Sequence, residues 1–226
     1  MATYFASVHW KSHLAHLVPD GTMLIQDGIP VSESEFCELE LLRVLKKLKK
    51  GKACGNDDIP PDFWKTLSAD NTAVNELLNL CNHCWRVGDI PETWRIAKVV
   101  LLFKKGDNSL PENYRPISLL PIGYKVLAAL IHQRLLDGGV DDKIRPSQFG
   151  FRPKRNCMDA LMIVRRLIDA AQEDNRNGLL MVFLDWAKAF DRITPTSLVH
   201  ALRRFGLPGK VVHMVESIYR VRRFFI

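Results

Sequence analysis

Six apolar residues in a row, Leu179 to Leu184, run straight into a carboxylate in the segment LLMVFLDWAKAFD. An unbroken apolar run of that length predicts a central strand buried on both faces. A carboxylate at its end is costly unless a cation, a metal or a hydrogen-bonding partner meets it. In open α/β sheets ligands gather at the carboxyl ends of strands, which makes Asp185 a metal or catalytic candidate. The same aspartate would serve equally as a turn residue whose side chain bonds the backbone just beyond it.

A chain of 226 residues is long enough to bury a sizeable core in one or two domains. Its apolar and charged fractions, 47% and 25%, are ordinary for a folded globular protein. No apolar stretch approaches the roughly 18–20 residues that cross a bilayer, so no membrane association is expected. The opening MATYFASVHWKSHLAH lacks the basic and apolar regions of a signal peptide, so the protein is expected inside the cell, in cytoplasm or nucleus. Five scattered cysteines suit a reducing compartment.

The formal charge is +7, and its distribution is more informative than its size. Basic groups cluster at Lys46–Lys52, at Lys104–Lys105, at Arg152, Lys154 and Arg155, and at Arg220, Arg222 and Arg223 beside Phe224 and Phe225. Any one cluster reads as a solvated face, whereas four at loop-like positions fit contact with a phosphate backbone. Cys81 and Cys84 form a lone CxxC without a second ligand pair, and Leu77, Leu78 and Trp85 around them follow helical spacing. Two buried thiols on a helix are therefore expected rather than zinc. His9, His13 and His16 also recur at helical spacing and read as a helix face.

Residues 1–30 carry turn signals and little periodicity, and are expected to form an extension with one short helix at most. Ser32 and Glu35 are spaced as a capping box for a helix whose stripe is Phe36, Leu39, Leu42, Leu45 and Leu48, closed by Gly51. A loop over 51–61, helices over 62–68 and 71–87, and a hairpin of strands 95–103 and 117–120 follow. Next come a helix over 122–136, a loop over 147–155, and a helix over 157–173 with Ala160, Leu161, Val164, Leu167 and Ile168 on its inner face. The apolar strand at 179–185 precedes two helices begun by Pro195 and Pro208, the second reaching about 221.

Four segments occur in an order that resembles reverse transcriptases: KKLKKGKACGNDDIP, RIAKVVLLFKKGDNSLPENYRPISLLPIGYKVLAALIHQRL, SQFGFRPKRNCMDAL and FLDWAKAFDRI. The closest likeness is to the non-LTR (LINE-type) retrotransposon enzymes, with group II intron maturases as the nearest neighbours. It covers roughly residues 31–226. The resemblance implies an α/β (α+β) right-hand polymerase fold. Residues 1–30 would be an N-terminal extension, 31–178 a mostly helical fingers region with a β-hairpin, and 179–226 the first part of the palm. It implies an RNA-directed DNA polymerase, a nucleotidyltransferase acting on an RNA template, a DNA primer and deoxynucleoside triphosphates with two magnesium ions.

On that resemblance FLDWAKAFD is motif A, Asp185 is its catalytic, magnesium-binding carboxylate, and the backbone carbonyl of Trp186 is a further metal ligand. Phe190 falls where the family sets a bulky side chain against the sugar 2′ position to exclude ribonucleotides; by spacing alone it reads as a core aromatic. Asp191 is expected to brace the turn or to cap the helix after Pro195. Lys104 or Lys105 and Arg115 would meet the triphosphate, through a mobile point charge and a fixed fork. Gln148, Phe149, Gly150 and Arg152, with Lys154 and Arg155, would line the template and nucleic-acid side; Phe149 and Phe151 read equally as core residues.

Two departures stand out. The first loop usually reads close to KAPGPDGIP, and here Cys54, Asn56 and Asp58 replace two prolines and a glycine. The family's glycine–glutamine motif, its paired aspartates and its thumb have no counterpart in these residues, so the implied polymerase is incomplete and inactive alone. A non-catalytic RNA-binding module or relic of such an enzyme is the alternative from a different class.

Overall fold

The computed structural model describes residue 4 and residues 28–173, 178–186, 189–190, 192–220 and 222–226. The short helix expected within residues 1–30, the histidines at 9, 13 and 16, and the bracing role of Asp191 lie outside the described residues.

Among those residues the fold is mixed α/β, mostly helical with one small sheet, as expected. Its helices are α1 (Glu38–Lys47), α2 (Pro61–Leu67), α3 (Asn71–Val87), α4 (Ile122–Asp137), α5 (Val140–Lys143), α6 (Cys157–Glu173), α7 (Pro195–Arg204) and α8 (Gly209–Tyr219). The strands are β1 (Ile96–Phe103), β2 (Tyr114–Leu119) and β3 (Arg223–Phe225).

The core is one apolar cluster joining α1, α3, α4, α7 and α8. Leu41 and Leu45 of α1, Val74 and Trp85 of α3, Val126, Leu127 and Leu130 of α4, and Val211, Val212 and Met214 of α8 are all nearly solvent-free. Helix α3 matches its expected span, with Asp70 accepting hydrogen bonds from the Thr72 and Ala73 amides and Gly88 closing it at φ 74°. Cys81 and Cys84 are buried in it as expected, and burial pushes their thiols up to about 12 and about 11.

The first helix starts later than the sequence suggests. Ser32 and Glu35 do not cap it; Glu40 does, accepting from the Cys37 amide at 2.8 Å. Residues 32–36 are instead held by side chains from α3 and α4. Arg134 donates to the carbonyls of Ser32, Ser34 and Glu35, Asn82 grips both backbone groups of Phe36, and the Trp85 indole donates to the Glu33 carbonyl. Backbone groups engaged across the core cannot also open a helix. The buried stripe of α1 shifts accordingly to Leu41, Val44 and Leu45, leaving Leu39 exposed.

Strands β1 and β2 form the expected hairpin in antiparallel register, with Val100 opposite Ile117 and Leu102 opposite Arg115. The return strand begins at Tyr114, earlier than the expected Ile117. Unexpectedly, β3 adds in parallel to the other edge of β1, giving the order β2-β1-β3. Arg95 locks that junction: its guanidinium, 3% exposed, donates to the carbonyls of Ser217 and Arg220 and pairs with Asp89 and Glu92.

Two expectations are overturned. The run 179–185 is not a buried strand: residues 178–186 have no strand partner, and Leu180, Val182, Phe183 and Leu184 are exposed. A strand exists only through its neighbours' hydrogen bonds, and none of the described strands lies beside this one. Helix α6 has its expected span, capped by Asn156 accepting from the amides of Met158 and Asp159, yet it has no buried face. Leu161 and Leu167 on its expected inner side are exposed.

Candidate functional site

The hairpin sets three cations at one end. Its tip is built by Asp107, whose carboxylate accepts from the amide and hydroxyl of Ser109. Its carbonyl accepts from the Asn113 side chain, while the Tyr114 hydroxyl donates to the Asn108 carbonyl. The Lys104 amide donates to the Asn113 carbonyl, closing the loop. Gly106, at φ 94°, sits where a β-carbon would lie 2.8 Å from the Asn113 side chain. On this organised tip Lys104 and Lys105 are exposed, and Arg115 projects from β2 opposite Leu102, two residues before Lys104.

Because facing residues share a side of the sheet, Arg115 stands on the face of Lys98, Val100, Leu102 and Ile117, whereas Ala97 and Val99 turn into the interior. The three apolar members of that outward face are exposed. Lys98 reaches Asp58 of the 51–61 loop at 3.5 Å. Lys125 lies partly buried near the same loop; desolvation lowers its pKa against the opposing pull of Asp57 and Cys54. Gly55 carries this contact, since a β-carbon there would fall 2.4 Å from the Pro121 nitrogen. Lys98 and Lys125 were not singled out from the sequence, where each is one lysine in an apolar stretch.

The loop 147–155 forms a second group. Gln148, Gly150, Lys154 and Arg155 are exposed, and Phe149 is half-buried with the Arg155 guanidinium 5.9 Å above its ring. Phe151, at φ 60°, points its ring outward into an edge-on contact with Phe190 at 5.7 Å. Neither Phe151 nor Phe190 is a core residue. Arg152 differs from its neighbours: its side chain is turned inward onto Asp141 and is 6% exposed. Asp141 has no sequence signal to mark it, since the pairing is made by the fold.

Asp185 is exposed at the end of the extended segment, followed by the exposed Trp186. Among the described residues no hydrogen bond, ion pair or ring contact joins Asp185 to the hairpin cations, so the geometry gives three groups: hairpin tip, loop with Phe190, and the Asp185 segment. Among the described residues no cluster of three or more His, Cys, Asp or Glu side chains is placed to hold a metal. Magnesium uses one or two carboxylates with waters and phosphates. Asp185 and the Trp186 carbonyl could contribute to one ion, but these residues do not fit two closely spaced ones. No helix among the described residues is long and apolar enough to cross a membrane.

Residues 103–225 match the family described as reverse transcriptase (RNA-dependent DNA polymerase). The chain is 31% identical over 215 residues to the Transposon TX1 uncharacterized 149 kDa protein of Xenopus laevis, covering 89% of this chain and 16% of that protein. It is 30% identical over 205 residues to the RNA-directed DNA polymerase from mobile element jockey of Drosophila melanogaster, covering 89% of this chain and 22% of that protein. A third relative is the putative 115 kDa protein in type-1 retrotransposable element R1DM, also of Drosophila melanogaster. It is 29% identical over 219 residues, with 89% and 20% covered. The chain therefore spans between 16% and 22% of the length of these relatives.

Proposed function

This chain belongs to the reverse transcriptase family, in its non-LTR retrotransposon branch, and we propose that it is the nucleotide- and template-binding part of an RNA-directed DNA polymerase. The observation that carries the reading is that the family match over 103–225 contains the hairpin cation Arg115, the 147–155 loop and Asp185 together. In this reading residues 31–178 are fingers and 179–226 the first part of a palm. Lys104, Lys105 and Arg115 hold the triphosphate of an incoming deoxynucleotide, with Arg115 as the fork and the lysines as mobile charges. Gln148, Phe149, Gly150, Lys154 and Arg155 face the RNA template and DNA primer.

Asp185 and the Trp186 carbonyl supply part of a divalent-metal centre completed by other carboxylates of a longer protein. A magnesium ion bound there would neutralise charge on the reacting phosphate. Phe190 offers a flat apolar face, held by Phe151, against a sugar edge that lacks a 2′ hydroxyl.

Binding is tested first, on the 226-residue chain with an RNA–DNA hybrid. Log affinity should fall linearly with log salt, by roughly 0.7–0.9 per phosphate neutralised. Replacing Lys104, Lys105 and Arg115 by glutamine together should weaken binding and flatten the slope; an unchanged slope removes the hairpin from the nucleic-acid or triphosphate path. Chemistry is tested in a longer protein that also carries the paired-aspartate segment. There Asp185→Asn should abolish primer extension, since it keeps shape and removes charge. Phe190→Val should preserve extension and admit ribonucleotides. The 226-residue chain alone should extend no primer, and robust extension by it or by the Asp185→Asn variant refutes the metal role.

A further inference from the structure

The arginine at the centre of the 147–155 loop has no donor left over for a phosphate. Arg152 Nε lies 3.1 Å from Asp141 Oδ1, and one terminal nitrogen donates to Asp141 Oδ2 at 3.2 Å and to the Asp141 carbonyl at 2.7 Å. The other donates to the carbonyls of Arg145 and Gln148 at 3.1 and 3.4 Å. One side chain thus ties the start of the loop, and residue 152 itself, to α5. The Arg152 side chain is 6% exposed, whereas Phe151 before it is 95% exposed and Lys154 and Arg155 after it are exposed.

Apolar packing does not do this job. A half-open cleft of about 380 Å³, lined by Arg152 and Asp141 together with His132, Leu136, Ile144 and Pro153, separates much of the loop from α4, so apolar contact along it is incomplete. Its backbone is also strained: Phe151 and Lys154 both hold positive φ, at 60° and 58°. Strained backbone persists only where the surroundings over-determine it. We infer that Arg152 is a positioning residue, clamped by Asp141, that holds the 147–155 loop so that Phe149, Phe151, Lys154 and Arg155 face the nucleic acid. The inward-turned fork makes that presentation possible and is itself spent on it. This deepens the proposed function, on which the identity of the loop's ligand rests.

The two possible roles of Arg152 predict opposite signs. As a phosphate contact, Arg152→Lys would keep most binding, and Asp141→Asn would strengthen it by releasing a cation and removing an acidic charge. As a clamp, Arg152→Lys and Asp141→Asn both weaken hybrid binding because the loop must then order itself on binding, while the salt slope stays near that of the wild type because Lys154 and Arg155 still meet their phosphates in the bound state. Lys154→Gln and Arg155→Gln should lower the slope instead, by roughly 0.7–0.9 each.

Amide hydrogen exchange on the unliganded chain is read in parallel. Arg152→Lys and Asp141→Asn should speed exchange of the Gln148 and Arg155 amides by about tenfold or more, because charge-assisted bonds are lost. Exchange in α3 and α4 should not move, which also shows that the variants fold. Unchanged loop exchange, or tighter binding by Asp141→Asn, overturns the clamp. If the wild-type chain binds no hybrid, the functional reading fails, and the exchange experiment still decides the role of Arg152.

Discussion

Arg134 shows how much one buried cation organises here. Its guanidinium, 5% exposed, meets both oxygens of Glu40, three backbone carbonyls and the face of Phe36 at 4.2 Å. Removing one partner of such a pair leaves a buried charge uncompensated, and Arg134→Met should lower stability by roughly 3–5 kcal/mol in urea titrations followed by far-ultraviolet circular dichroism. The pH dependence has a definite sign. The Arg134 hydrogen bond holds the Glu40 carboxyl below its ordinary value. A group lowered in the folded state contributes stability above its unfolded value, near 4.3, and loses it as pH falls through the folded value. Acid titration should therefore find Glu40→Gln less stable than wild type at neutral pH, with the gap closing below about pH 4.

At the level of the element, the 51–61 loop shows what a departure from a family pattern costs. Asp58 stands where the pattern carries glycine, and it adopts φ 52°, in the left-handed region. Aspartate tolerates that conformation better than most residues, but not as freely as glycine. The loop is nonetheless kept in place by Gly55 against Pro121 and by the Lys98–Asp58 contact. That contact is exposed at both ends and contributes little. Asp58→Gly should therefore raise the thermal midpoint, the relieved backbone being worth about 1 kcal/mol at most. A fall in the midpoint would mean that the Lys98 contact outweighs the strain.

Across the whole molecule, apolar surface is distributed unevenly. The helices of the core bury theirs, whereas Met158, Leu161, Met162, Ile163 and Leu167 of α6 and Leu180, Val182, Phe183, Leu184 and Trp186 beyond it face solvent. Exposed apolar side chains in this number drive association or await a covering partner. The 226-residue chain is expected to bind a hydrophobic dye and to self-associate as its concentration rises. Replacing Leu161 and Ile163 with lysine should reduce both in light-scattering and dye-binding assays, with the urea midpoint followed by far-ultraviolet circular dichroism unchanged. If association persists undiminished, the exposed apolar side chains of α6 are not its source.

Local chemistry alone decided much of where the elements of this protein lie. Helical periodicity and capping fixed α3, α4 and α6 nearly to the residue, because Asp70, Gly88, Pro121 and Asn156 act on backbone groups within a turn of themselves. The KKGDN turn between apolar runs placed the hairpin, and with it Lys104, Lys105 and Arg115. Tertiary structure decided what depends on residues far apart in the chain. The start of α1 moved because Arg134, Asn82 and Trp85, some 46 to 102 residues away, captured its leader. The inward turn of Arg152 depended on Asp141, and β3 on the edge that β1 left open. The apolar run ending at Asp185 marks the limit of local reading: its composition is that of a buried strand, but burial and pairing come from neighbours, and none of the described strands provides them.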